Sequence, residues 1–106
     1  MTGVRVASLA DLADDTAVQV EVDGVPVCLA RSGGEVFAVG DRCSHADVSL
    51  SEGDVEDGAV ECWLHGSRFD LRTGAPSGLP ANRPVPTYPV RIEGDDVLVD
   101  VSGATA

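Results

Sequence analysis

Both histidines of this chain follow a cysteine at a short fixed step, in Cys43-Ser44-His45 and in Cys62-Trp63-Leu64-His65, with residues 46–61 between the two pairs. Two thiolates and two imidazoles brought together bind metal, and a metal that ties two loops at one point constrains a short chain more than any other feature it carries. Four such donors suit either a tetrahedral Zn²⁺ or a [2Fe–2S] cluster in which the cysteines hold one iron and the histidines the other. A structural zinc finger usually takes two like ligands from each turn, C-x2-4-C followed later by H-x3-5-H. Here each half-site is mixed. Two loops lying side by side then bring both sulfurs to an inner iron and both nitrogens to an outer one.

The pattern C-x-H, a spacer of about 15–17 residues, and C-x2-H resembles the Rieske family. The likeness extends past the ligands. Gly66 and Ser67 after His65, the Phe-Asp-Leu-Arg-Thr-Gly run at residues 69–74, and the proline-bearing stretch 76–80 look like that family's second cluster loop and covering loop. Nearly the whole chain is covered, as one domain over residues 1–106. The resemblance implies an all-β Rieske fold: an antiparallel β-sandwich base formed by residues 1–40 and 76–106, with a two-loop cluster-binding subdomain, residues 41–75, inserted between. It implies one Rieske-type [2Fe–2S] cluster held by Cys43, His45, Cys62 and His65, the histidine rings at an exposed tip, the cysteines inside and Ser67 close behind the ligands.

The local patterns agree with a β-rich chain. Residues 16–22 alternate apolar and polar, Asp23-Gly24 marks a tight hairpin, and residues 25–30 return before Ser32-Gly33-Gly34 turns the chain into residues 36–39. Glu52-Gly53-Asp54 and Asp57-Gly58 punctuate a short hairpin that leads residues 59–62 into the second ligand pair. Residues 87–92 and 97–101, either side of Gly94-Asp95-Asp96, form a last hairpin. Ser8 is placed to cap one helical turn starting at Leu9. Prolines 76, 80, 84, 86 and 89 describe an extended loop leading to an edge strand. The third cysteine, Cys28, lies in an apolar run away from both motifs and is expected to be a reduced, buried core thiol.

With 106 residues the chain has room for only a modest core, and a bound cluster would add stability that size withholds. The expectation is that the apo form is at least partly unfolded around residues 41–75. No apolar run approaches the roughly 18 residues of a membrane helix, and the first residues lack the apolar stretch of a signal peptide. With two of three cysteines committed to iron, no pair remains for a disulfide, so a reducing cytoplasm fits. The formal net charge is −11, from 18 acidic and 7 basic residues. That charge disfavours nucleic acid as a partner and would steer the protein toward basic patches on other proteins.

Each iron of such a cluster has four ligands, two sulfides and two side chains, so no position is open to substrate. The chain also lacks a phosphate-cradling glycine loop and a nucleophilic triad. A one-electron carrier follows, not an enzyme. Charge counting explains the histidines: two ferric ions, two sulfides and two thiolates sum to zero with neutral imidazoles, whereas four thiolates would leave −2.

The resemblance also bears on the reduction potential, which for Rieske centres spans about −150 to +300 mV. High-potential members carry two further cysteines that clamp the loops; the matching positions here are Val48 and Leu64. Those members also have a serine and a tyrosine whose hydroxyls donate toward the sulfurs. Ser67 keeps the first place, but Phe69 takes the tyrosine's. The expectation is a potential near the bottom of the range. Together these features resemble the soluble ferredoxin component of bacterial ring-hydroxylating dioxygenase systems. That likeness implies a monomer that accepts an electron from a flavin-containing reductase and passes it to a terminal non-haem iron oxygenase. Docking would use the histidine edges and an apolar collar drawn from Val48, Leu50, Trp63 and Leu79. The same cluster could instead serve iron–sulfur assembly, nitrite reduction or redox sensing, and a zinc-stabilised interaction module is the reading from another class.

Overall fold

The computed structural model describes residues 3–42, 49–63, 67–76 and 84–101. Ten strands lie among them: β1 (Val4–Ser8), β2 (Thr16–Val22), β3 (Val25–Ser32), β4 (Glu35–Gly40), β5 (Val55–Glu56), β6 (Ala59–Glu61), β7 (Arg68–Asp70), β8 (Thr87–Tyr88), β9 (Val90–Glu93) and β10 (Asp96–Val99). They form three antiparallel sheets with the orders β2-β3-β4-β8, β1-β10-β9 and β5-β6-β7. Two single 3-10 turns, Leu9–Asp11 and Leu50–Glu52, accompany the strands, and no helix among the described residues is long and apolar enough to cross a membrane.

The four-stranded sheet is the middle layer. Strand β2 alternates, with Val18, Val20 and Val22 on one face and Ala17, Gln19 and Glu21 on the other. Strand β3 has no such alternation because both its faces are covered: Val27 and Leu29 join a core with Val22, Val36, Ala38, Val97 and Val99, and Cys28 and Ala30 a second core on the opposite side. The first core lies under the β1-β10-β9 sheet. The second joins the base to the β5-β6-β7 sheet, since Cys28, Ala30, Phe37 and Val39 pack with Leu50, Val55, Val60, Cys62, Phe69 and Leu71.

Turn chemistry sets the registers. At Asp23-Gly24 and at Asp57-Gly58 both residues have positive φ (51° and 81°, 52° and 75°), the two-residue geometry whose twist matches antiparallel strands. The hairpins pair Val22 with Val25 and Glu56 with Ala59 accordingly.

Two sequence expectations are corrected. Residues 87–92 are two strands, because the chain changes sheets at Pro89: β8 pairs with β4, and β9 with β10. A proline offers no N–H to either ladder, so the break falls there. Ser8 precedes a turn at Leu9 but does not cap it. Asp95, in the far hairpin, accepts from the Leu9 N–H through its carbonyl at 2.7 Å and from the Ala10 N–H through its carboxylate at 3.1 Å. The Ser8 hydroxyl accepts instead from Arg5.

Polar pins complement the shared core. The Ser32 hydroxyl accepts from the Gly58 N–H at 3.0 Å, and Arg72 makes a two-pronged ion pair with Glu35, 2.6 and 3.1 Å, while lying 5.1 Å over the Phe37 ring.

Candidate metal centre

Of the four ligand candidates, Cys62 lies among the described residues; Cys43, His45 and His65 lie outside them, as do Val48, Leu64 and Leu79. Cys62 directly follows β6 and is fully buried, while its neighbour Trp63 is 52% exposed. The β6–β7 ladder continues one step beyond its strands, because the Cys62 N–H donates to the Ser67 carbonyl at 2.6 Å. That bond ties the residue after β6 to the residue before β7. Ser67 is buried too, at 1% exposure, and Phe69 is wholly enclosed, opposite Val60 on β6. The sulfur therefore sits inside a dry core at the root of the loop, and the next side chain points to solvent.

The second loop is braced from below by Gly53. A Cβ at that position would overlap the Glu61 carbonyl oxygen, so only glycine lets the chain after the Leu50–Glu52 turn pass beneath the end of β6. The adjacent Glu61 N–H donates to the Asp54 carbonyl at 2.8 Å. The first loop is tied at its stem. Arg42 and Ser49 form an antiparallel bridge, and the Asp41 carbonyl accepts from the Leu50 N–H at 2.6 Å. Leu50 is completely buried in the core that contains Cys62. Its place in the exposed collar is thus corrected, because an apolar side chain at the foot of the loop gains more by filling that core than by facing water.

Asp41 is the residue that sequence patterning missed. At 2% exposure its carboxylate accepts from the Ser51 N–H at 2.8 Å and from Gln19 at 2.5 Å. An aspartate two residues before a ligand candidate is an ordinary turn residue in sequence. Its only signal is that it closes a strand, β4, buried from Val36 to Gly40.

The two described cysteines are both free of disulfides and share one core, yet their surroundings differ. Burial pushes the Cys28 thiol far above its ordinary range, and the nearby Asp41 carboxylate adds to the effect, so Cys28 stays protonated and inert. Cys62 sits instead at a strand end against a buried serine. A soft sulfur donor enclosed in this way fits an iron–sulfur cluster of mixed cysteine and histidine ligation, whose cysteine-held iron Cys62 could help to hold.

A small all-β domain with a buried cysteine at a strand end over a shared core, and with a companion Cys-x-His motif directly after Arg42 in sequence, defines a class of metal-binding protein. Residues 2–89 match the Rieske [2Fe-2S] domain family, and the chain belongs to that family. It is 47% identical over 103 residues to the ferredoxin component of biphenyl 2,3-dioxygenase from Rhodococcus jostii (strain RHA1), covering 97% of this chain and 96% of that protein. The ferredoxin of carbazole 1,9a-dioxygenase from Nocardioides aromaticivorans IC177 superposes with a TM-score of 0.90 at 41% identity, covering 94% and 98% of the two chains. A second carbazole 1,9a-dioxygenase structure, a complex of reduced oxygenase and oxidized ferredoxin, matches with a TM-score of 0.87 at 30% identity over 92% of each chain. The fold is the Rieske fold, and the cofactor is one Rieske-type [2Fe–2S] cluster.

Proposed function

We propose that this protein is the ferredoxin of a ring-hydroxylating dioxygenase system, a one-electron carrier between a flavin-dependent reductase and a terminal non-haem iron oxygenase. The observation that carries the proposal is the fully buried Cys62 at the root of a loop whose next residue, Trp63, is half-exposed, in a chain that aligns end to end with a dioxygenase ferredoxin. A sulfur inside and an aromatic outside is the arrangement a docking carrier needs.

Cys43 and Cys62 hold the inner iron and His45 and His65 the outer one, within a subdomain of residues 41–75 on a base of residues 1–40 and 76–106. The bound cluster supplies a reversible one-electron couple with no open coordination site. The chain's own residues do the rest. The Cys62–Ser67 backbone bond ties the end of β6 to the start of β7, the buried Ser67 would offer its hydroxyl toward the cluster, and Phe69 keeps water from the buried side. Trp63 is the described member of the apolar collar, a side chain suited to anchoring a transient interface. The charge of −11 favours partners with basic rims, speeding encounter rather than tightening the complex. The carrier acts as a monomer in the cytoplasm, with no nucleic-acid or membrane partner.

Low-temperature EPR of the dithionite-reduced protein, purified without added metal and with iron and zinc quantified on the same sample, tests the centre. A rhombic signal with average g below the free-electron value and two irons per chain are expected. A colourless, EPR-silent protein holding stoichiometric zinc would overturn the assignment. Reduced protein mixed with a terminal oxygenase of this class should then be reoxidised in a single phase.

A further inference from the structure

We propose that Asp41, anchored by Gln19, is the positioning residue of the first ligand loop, so that the geometry at Cys43 and His45 is set from strand β2. The inference rests on the ligand assignment proposed above. Residue 41 uses every polar group it has. Its N–H donates to the Pro26 carbonyl at 3.3 Å, its carbonyl accepts from the Leu50 N–H at 2.6 Å, and its two carboxylate oxygens accept from the Ser51 N–H at 2.8 Å and from Gln19 Nε2 at 2.5 Å.

Residues 43–48 are thus flanked by the Arg42–Ser49 bridge and, one step further out, by the bonds of Asp41 to Leu50 and Ser51. A backbone bond alone would close that turn. The carboxylate does two further things. It satisfies an orphan N–H of the 3-10 turn Leu50–Glu52, a task that the adjacent Ser49 hydroxyl does not perform, and it carries the stem across to the middle sheet. Gln19 can receive it because of strand parity. On β2 it shares a face with Ala17, on the side of the core that holds Cys62, and it stands opposite Cys28 on β3. At an exposed strand position a glutamine would otherwise serve only solubility. Because the carboxylate is buried, removal of either Gln19 or the Ser51 bond leaves an acceptor without its donor, and the stem must shift to find water.

Three variants of the holoprotein test the clamp: D41A, D41N and Q19A. In D41N the amide oxygen still accepts from Ser51, and the Gln19 amide turns over to accept from the new NH2 group. The readouts are the first-order loss of the cluster's visible absorbance under a fixed excess of iron chelator and the EPR g-values of the reduced protein. D41A is expected to lose its cluster about tenfold faster than wild type, with shifted or broadened g-values, in line with the usual effect of residues that orient metal ligands. Q19A should lose it at least about twofold faster, the effect of one missing hydrogen bond. D41N should stay within about twofold of wild type, because the geometry is rebuilt. Equal rates for D41A and wild type, or a D41N variant as labile as D41A, would overturn the clamp. If D41A does not accumulate, Q19A against D41N decides, since the Gln19 side chain lies at the surface and its loss leaves the core intact; Q19A at the wild-type rate overturns the proposal. A wild-type protein lacking the mixed-ligand EPR signal would remove the ligand assignment itself, and the clamp with it.

Discussion

Two cysteines share one core, but their backbone settings differ. Cys28 is in the interior of β3, its neighbours fully buried on both faces, and nothing there can move to admit a metal. Cys62 is one residue past the end of β6, where a loop begins. C28A is therefore expected to retain full iron and an unchanged EPR spectrum at a stability cost of about 1–2 kcal/mol, whereas C62A should be colourless; iron analysis and thermal melts check both. The raised thiol pKa adds a chemical test. Because the folded value lies above the unfolded one, Cys28 stays protonated at any pH at which the protein is handled, and iodoacetamide should label it only after denaturation, as mass spectrometry would register. Phe69, enclosed and packed in the same core as Cys62, has no hydroxyl to donate toward a sulfur. A hydroxyl donor there favours the more negative, reduced state. F69Y is expected to raise the midpoint by about 40–60 mV, one hydrogen bond converted at 59 mV per tenfold, in an EPR-monitored redox titration. A wild-type midpoint above about +100 mV would contradict the low-potential reading itself.

At the scale of elements, the sequence revealed what short-range chemistry controls. Both Asp-Gly hairpins were visible because the residues that tolerate positive φ are few, and β2 was visible to the residue because one of its faces is apolar. What stayed hidden depends on contacts between distant segments. The strand break at Pro89 follows from which sheet each half joins, and the cap at Leu9 comes from Asp95, a residue 86 positions away in sequence. Of the centre, spacing singled out Cys62, which lies buried at a strand end, but the Asp41–Gln19 hydrogen bond was not legible, since neither residue type announces a buried partner. Gly53 is hidden in the same way: nothing local demands it, with φ at −91°, and only the proximity of β6 does. G53A must push the Leu50–Glu52 turn off the second loop's strand. The expected cost is about 3 kcal/mol or more, seen as a lower denaturation midpoint of the holoprotein, whereas G33A, at an open turn, should cost only about 1 kcal/mol of backbone strain.

For the whole molecule, charge and core division make separate predictions. A net charge of −11 should make electron transfer to a basic partner fall about tenfold or more as ionic strength rises from about 0.01 to about 0.5 M, measured by stopped flow. The division of the core bears on what happens when the metal leaves. One core, with Val22, Val27, Leu29, Val97 and Val99, contains no cysteine or histidine among the described residues and is closed on both sides by sheet. The other, with Leu50, Val60, Cys62 and Phe69, is roofed by the short β5-β6-β7 sheet, whose strands of two or three residues cannot persist alone. Cluster binding is coupled to folding, so its free energy is concentrated on that side. Hydrogen exchange of the apo protein should therefore show amides in residues 49–63 and 67–76 losing protection by about tenfold or more, while those of β3 facing the first core, and of β10, stay within about threefold of the holoprotein. Uniform loss of protection would mean that the two cores fold as one unit. Unchanged protection would mean that the metal loops contribute nothing to the fold they stand on, and that the shared core around Cys62 is complete without its iron.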